Sequence, residues 1–199
     1  EKADVTVETS YPWEGKTSYA VAPRTEEEFT LAIHIPYYVK PDDRRVSLTV
    51  NGEKLDMQKL VKKGYAYITR RWEDGDVVEV EFPMEVRKAY ANQHVREDAG
   101  CVALLRGPVV YCFEGVDNGE LIQSLRIPKK LEARAHRCEE GVLKGNVLLE
   151  FEGIRMVGSQ ALYSEEPPVK EKARMTAIPY YAWANRGENQ MRVWMQEEV

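Results

Sequence analysis

Apolar and polar residues alternate with a period of two through much of this chain. Val5, Val7 and Thr9 interleave with Thr6, Glu8 and Ser10; Phe29, Leu31, Ile33 and Ile35 with Thr30, Ala32 and His34; and Val46, Leu48 and Val50 with Ser47 and Thr49. Successive side chains of a strand point to opposite faces, so each stretch predicts a strand with one face towards a core. Residues 18–22, 64–72 and 77–82 predict further strands. Turn chemistry separates them, at Tyr11-Pro12-Trp13-Glu14-Gly15-Lys16, Pro23, Pro36, Asn51-Gly52 and Asp74-Gly75. Asn51-Gly52 is the sharpest hairpin signal, because both positions tolerate the positive φ of a type I′ turn. Residues 53–63 are more polar and predict a short helical turn, and residues 37–43 a loop with two exposed rings, Tyr37 and Tyr38.

Beyond Pro83 the pattern changes. Residues 102–113 are nearly continuous apolar sequence broken by Gly107-Pro108, as expected of two strands buried on both faces. Shorter strands are expected over 121–127, 131–135 and 147–151, with a polar turn at Asp117-Asn118-Gly119. Residues 154–162 are ambiguous, and 165–172, with Pro167-Pro168, predict a solvated loop. There is no long amphipathic helix and no internal repeat. The fold class that follows is all-β: two packed antiparallel β-sandwich domains, immunoglobulin-like or jelly-roll-like, over residues 1–88 and 89–199.

Charge narrows the partners. The net charge is −5 over 199 residues and Lys/Arg are interspersed with Asp/Glu, so no basic face points to nucleic acid. No run approaches the roughly 18 apolar residues of a spanning helix, and no membrane partner is expected. The start, Glu1-Lys2-Ala3-Asp4, has neither an initiator Met nor an apolar signal core, and reads as a piece of a longer polypeptide. Three cysteines, Cys101, Cys112 and Cys138, are too few for a disulfide framework and favour the cytoplasm. His136 and Cys138 stand two apart, but no second ligand pair follows, so no metal site is expected.

Catalytic constellations are hard to find. Glu97 and Asp98 are adjacent, which in a strand sends them to opposite faces. Glu150 and Glu152 share a face, and a solvated surface is the simpler reading. His34 lies on the face opposite Ile33 and Ile35, and Cys112 sits in the most apolar strand with no identifiable base to activate it. Neither a phosphate loop, a Gly-x-Ser-x-Gly elbow nor a His-Glu-x-x-His motif is present. The densest segment is Thr176 to Trp194, which contains Pro179-Tyr180-Tyr181-Ala182-Trp183 and Asn185-Arg186-Gly187. Rings of this size bury roughly 150–250 Å² each, so the segment finishes a core or covers a partner. Exposed tyrosine and tryptophan could also stack on sugars. In an extended segment, however, Tyr180 and Tyr181 point to opposite faces and cannot form one platform.

These motifs carry a resemblance. Tyr11-Pro12-Trp13-Glu14-Gly15-Lys16, Val95-Arg96-Glu97-Asp98-Ala99-Gly100, Leu105-Arg106-Gly107-Pro108-Val109-Val110-Tyr111, Glu114-Gly115-Val116-Asp117-Asn118 and Ala177 to Gly187 with Arg192-Val193-Trp194 resemble the C-terminal part of glycoside hydrolase family 127, the β-L-arabinofuranosidases. The resemblance runs in order along essentially the whole chain. It implies an (α/α)6 barrel ahead of two β-sandwiches. In such an enzyme the barrel carries a cysteine nucleophile in a zinc-bound cysteine cluster and a glutamate acid/base. The family's adjacent cysteine pair has no counterpart here, so no catalytic or metal residue transfers, no cofactor is expected in this chain, and zinc is implied only for the catalytic domain.

The expected role is a non-catalytic accessory region, inactive alone, that braces the barrel of its own parent polypeptide. Trp13, Tyr37, Tyr38, Tyr180, Tyr181, Trp183 and Arg186 are the candidate barrel-docking or sugar-contacting residues, with one of Tyr180 and Tyr181 expected inside the sandwich and Asn185-Arg186-Gly187 as a turn. A homodimer is a further open partnership. The alternatives are a carbohydrate-binding module and an immunoglobulin-like adhesion or assembly module.

Overall fold

A computed structural model describes residues 2–198. The chain divides into two compact units, Glu1–Glu85 and Val86–Val199.

The first unit holds β1 (Ala3–Thr9), β2 (Lys16–Pro23), β3 (Phe29–His34), β4 (Ser47–Val50), β5 (Glu53–Lys54), the single turn α1 (Met57–Leu60), β6 (Val61–Lys62), β7 (Tyr65–Arg70) and β8 (Asp76–Glu81). They form two antiparallel sheets, in the orders β1-β2-β8-β4-β5 and β3-β7-β6. Val21, Leu48, Val50, Val78 and Val80 from the first sheet meet Ile33, Ala66 and Ile68 from the second in one core, which makes the unit a sandwich. Trp72 closes one end, its indole N–H donating to the Phe29 carbonyl at 3.0 Å. Asn51 and Gly52 both adopt left-handed φ (50° and 81°), and Val50 pairs with Glu53 across them, giving the two-residue hairpin that the dipeptide predicts. Gly15 is a point of close approach: a Cβ there would stand 1.9 Å from the Phe82 carbonyl oxygen.

One strand departs from its pattern. β1 alternates in sequence, yet Val5 and Val7 are exposed along with the residues between them. It is the outermost strand of its sheet, pairing with β2, and of its residues Ala3 packs against the core.

The second unit holds β9 (Val86–Tyr90), β10 (Cys101–Arg106), β11 (Val109–Glu114), the single turn α2 (Gly115–Asn118), β12 (Leu125–Arg126), β13 (Arg134–Arg137), β14 (Val147–Val157), β15 (Val169–Pro179), β16 (Met191–Arg192) and β17 (Met195–Gln196). β11 is its hub: successive residues pair with β10, then β15, then β16. That is why residues 109–114 are so apolar, with Tyr111, Cys112, Phe113 and Glu114 all fully buried.

β14 and β15 form a hairpin of two 11-residue strands. It corrects two expectations. Residues 154–157 continue β14, and Val169–Lys172 belong to β15 rather than to a loop. This end of the hairpin is polar because it projects from the core: Glu152 pairs with Lys172 at 2.9 Å, and Glu150 with Arg174 at 2.7 Å, across the ladder. The strand expected over 131–135 is shifted, with β13 at Arg134–Arg137, and within 121–127 a 3-10 turn at Ile122–Ser124 precedes β12 (Leu125–Arg126).

Candidate functional site

At the end of β11 a carboxylate enters the core. Glu114 is 0% exposed, a burial that an ionised group tolerates only with partners. Its Oε1 accepts the Ala184 N–H at 3.0 Å and its Oε2 accepts the Arg186 Nε–H at 3.0 Å, while a terminal guanidinium nitrogen of Arg186 donates to Asp117 Oδ1 at 2.8 Å. The hydrogen bonds to Asp117 and Glu114 raise the Arg186 pKa despite burial, so the guanidinium stays charged. One arginine is thus forked between two carboxylates. Asn118, also buried, joins the same turn to the sheet: its Nδ2 donates to the Glu114 and Thr176 carbonyls, and its Oδ1 accepts the Thr176 N–H, each at 2.9 Å.

These bonds hold the loop after β15 in place. Pro179 is followed by a 3-10 turn, Tyr180–Ala182, not by an extended segment. Three residues per turn put positions i and i+3 on one side, so Tyr180 and Trp183 stack with centroids 6.4 Å apart and planes 15° apart. Ala182 is the buried residue of the turn, and Tyr180, Tyr181 and Trp183 are 44%, 60% and 41% exposed. The expectation that one of the two tyrosines lies inside the sandwich is therefore wrong, because it assumed strand geometry. Tyr181 is anchored through its hydroxyl, which donates to Asn146 Oδ1 at 2.6 Å. Ala184, next in line, takes a left-handed φ of 63°, a conformation that costs a residue with a side chain of order 1 kcal/mol or more.

Of the seven candidate residues, the structure brings four together here: Tyr180, Tyr181, Trp183 and Arg186. Arg186 faces inward as the clamp and the three rings face water. Trp13, Tyr37 and Tyr38 belong to the first unit. Tyr37 is exposed, and Tyr38 is half-buried with its hydroxyl against those of Tyr11 (3.3 Å) and the Met84 sulfur (3.7 Å). Glu114, Asp117 and Asn118 were not anticipated as a site. Their signals in the sequence are an acidic residue ending the most apolar run in the chain and their place in the Glu114-Gly115-Val116-Asp117-Asn118 motif of the family resemblance, neither of which points to Arg186.

The other chemical candidates are accounted for locally. Glu97 and Asp98 lie in a surface 3-10 turn. Glu150 and Glu152 are salt-bridged across the β14–β15 ladder. Burial, with the Glu114 charge second, pushes the Cys112 thiol up to about 12, which leaves it an inert core residue. Cys138 donates to the Glu140 carbonyl, and Cys101 is buried in β10. Among the described residues, no three His, Cys, Asp or Glu side chains converge in a way that could hold a metal ion, so the donors present do not fit zinc. No helix among them is long and apolar enough to cross a membrane. What the site offers is a fixed aromatic surface on a charged clamp.

Comparison with known proteins places both units. Residues 1–84 match the family model described as the middle domain of β-L-arabinofuranosidase, GH127, and residues 86–196 match the C-terminal domain of glycoside hydrolase family 127. The non-reducing end β-L-arabinofuranosidase of Bifidobacterium longum subsp. longum is 31% identical over 198 aligned residues, covering 94% of this chain and 29% of that protein. The crystal structure of a GH127 β-L-arabinofuranosidase from Geobacillus stearothermophilus T6 superposes with a TM-score of 0.92 at 42% identity, covering 98% of this chain and 31% of that one. A second solved GH127 β-arabinofuranosidase gives a TM-score of 0.84 at 31% identity, with 32% of its length covered. The chain thus spans about a third of the length of these relatives.

Proposed function

The chain belongs to glycoside hydrolase family 127, and on that premise we propose that it is the non-catalytic accessory region of a β-L-arabinofuranosidase-like enzyme whose barrel it braces. The observation that carries the reading is the loop 180–187: a fully buried Glu114, a forked Arg186 and a left-handed Ala184 fix three aromatic rings in water. A fold that accepts buried charge and backbone strain to hold rings outward is built to present them to a partner. The partner proposed is the catalytic barrel of the same parent polypeptide, which would act on terminal β-L-arabinofuranosyl linkages. Nucleophile, acid/base and zinc would all reside in that barrel.

Two measurements test this. The 199-residue chain should release no sugar from an aryl β-L-arabinofuranoside, and turnover by a homogeneous sample would overturn the assignment of the chemistry elsewhere. Hydroxyl-radical footprinting of the longer parent should show Tyr180, Tyr181 and Trp183 protected relative to the chain alone. Equal reactivity in the two would remove the docking role.

A further inference from the structure

The β3-β7-β6 sheet of the first unit buries one face and leaves the other in water. Ile33, Ala66 and Ile68 turn inward, while Thr30, Ala32 and His34 of β3 and Tyr65, Tyr67 and Thr69 of β7 turn outward. Register sets the outward residues opposite one another in three rows: Thr30 with Thr69, Ala32 with Tyr67, and His34 with Tyr65. Tyr65 and Tyr67 are each 41% exposed, with ring centroids 6.3 Å apart and planes tilted by 47°. The His34 ring stands edge-on to Tyr65 at 5.3 Å, and the Thr30 and Thr69 hydroxyls hydrogen-bond to each other at 2.7 Å in the outermost row. Ala32 offers only a methyl group beside Tyr67, so the sheet leaves that flank open.

The chemistry of this face selects its occupant. None of the six outward side chains is a carboxylate, and the β6 residue paired with Tyr65 is Lys62, so among these seven residues a basic partner finds no counter-charge and an acidic one a single cation. An apolar partner would strip water from two phenol hydroxyls, an imidazole and two threonines without replacing their hydrogen bonds. A neutral saccharide meets both demands. Its C–H faces, slightly positive, lie against the electron-rich ring faces, and its hydroxyls pair with the phenol, imidazole and threonine groups around them. We propose that the outer face of the β3-β7-β6 sheet is a saccharide-binding surface, taking a neutral oligosaccharide along β7 with Tyr65 and Tyr67 beneath successive sugar units. The surface is independent of the accessory role: it requires neither a barrel nor turnover.

The test is NMR titration of the 199-residue chain, with labelled tyrosine rings, against linear arabinotriose, xylotriose and cellotriose. An open two-ring platform supports affinity of about millimolar, so the Tyr65 and Tyr67 ring resonances should move, with saturation, for at least one trisaccharide up to about 10 mM. Tyr67→Ala should weaken that binding about tenfold, and Tyr67→Phe, which keeps the stacking face, less than about threefold. Because Tyr67 lies outside the core, retained chemical shifts for Ile68 report that Tyr67→Ala is folded, and Tyr65→Ala serves as the second variant. No movement with any of the three sugars, movement confined to Tyr180 and Tyr181, or binding unchanged in both alanine variants would each overturn the proposal.

Discussion

At the scale of single residues, the Glu114–Arg186 pair sets a carboxylate with 0% exposure against a guanidinium that is 19% exposed. Arg186→Ala strands a carboxylate that has no exposure, and loss of one partner of a buried pair costs about 3–5 kcal/mol. The expected result is a fall of that order in unfolding free energy by urea denaturation, largely recovered when Glu114→Gln is added, since the double variant removes the charge with its partner. Asp76 makes a quieter case in the first unit. Burial alone would raise its carboxyl, but hydrogen bonds from Asn51 Nδ2 at 2.6 Å and the Glu73 N–H at 2.9 Å, with Arg70 nearby, hold it below the ordinary 3.8. The unfolded chain then takes up the proton first as pH falls. The stability from Asp76 is complete above its unfolded pKa and drains away as pH drops through the lower native one. Asp76→Asn should lower the urea midpoint at neutral pH, and its gap from wild type should narrow as pH falls below about 4.

Elements were legible in the sequence to the degree that one physical demand controlled them. Where a strand buries one face, alternation located it, as in β3, β4, β7 and β8, and where a turn needs positive φ, Asn51-Gly52 marked it. The central pair β10 and β11 was visible as an apolar run. Projecting segments were not. Val169–Lys172 is held by ladder bonds and surface ion pairs and so carries no apolar signature, and the burial of Asn118 comes from three hydrogen bonds that composition does not reveal. The Tyr180–Trp183 turn failed for a different reason: a switch from period two to period three reverses which rings share a side. The outward alternation of Tyr65 and Tyr67 was in the sequence, yet rings on a strand do not declare whether a second layer covers them. The join at Gly15 yields a prediction at this scale. With Phe82 backbone in the way, Gly15→Ala must displace the start of β2 from the end of β8 and should cost about 2–3 kcal/mol, read as a lowered urea midpoint.

For the whole molecule, the chain belongs to family 127, and in its relatives the region matched by these two units is about a third of a longer chain. The docking role predicts a difference between contexts. Tyr180→Ser with Trp183→Ser removes two stacked rings that are each more than half covered, and should cost the 199-residue chain about 1–3 kcal/mol. In the longer parent the same pair should cost more, read as a lowered thermal midpoint, because there the rings cover a partner surface. Equal effects in both would leave the loop without a docking function.

The β14–β15 hairpin also gives the molecule a place where its covalent continuity matters little. Residues 158–168, which join the two strands, are exposed throughout, and Leu162 and Tyr163 reach 89% exposure. Chymotrypsin should cut after one of them first. Nine register pairs from Leu149–Ala177 to Val157–Val169, together with the contacts of β15 to β11, would still bind the two pieces, so the nicked protein should elute as one species under native conditions and as two fragments in denaturant.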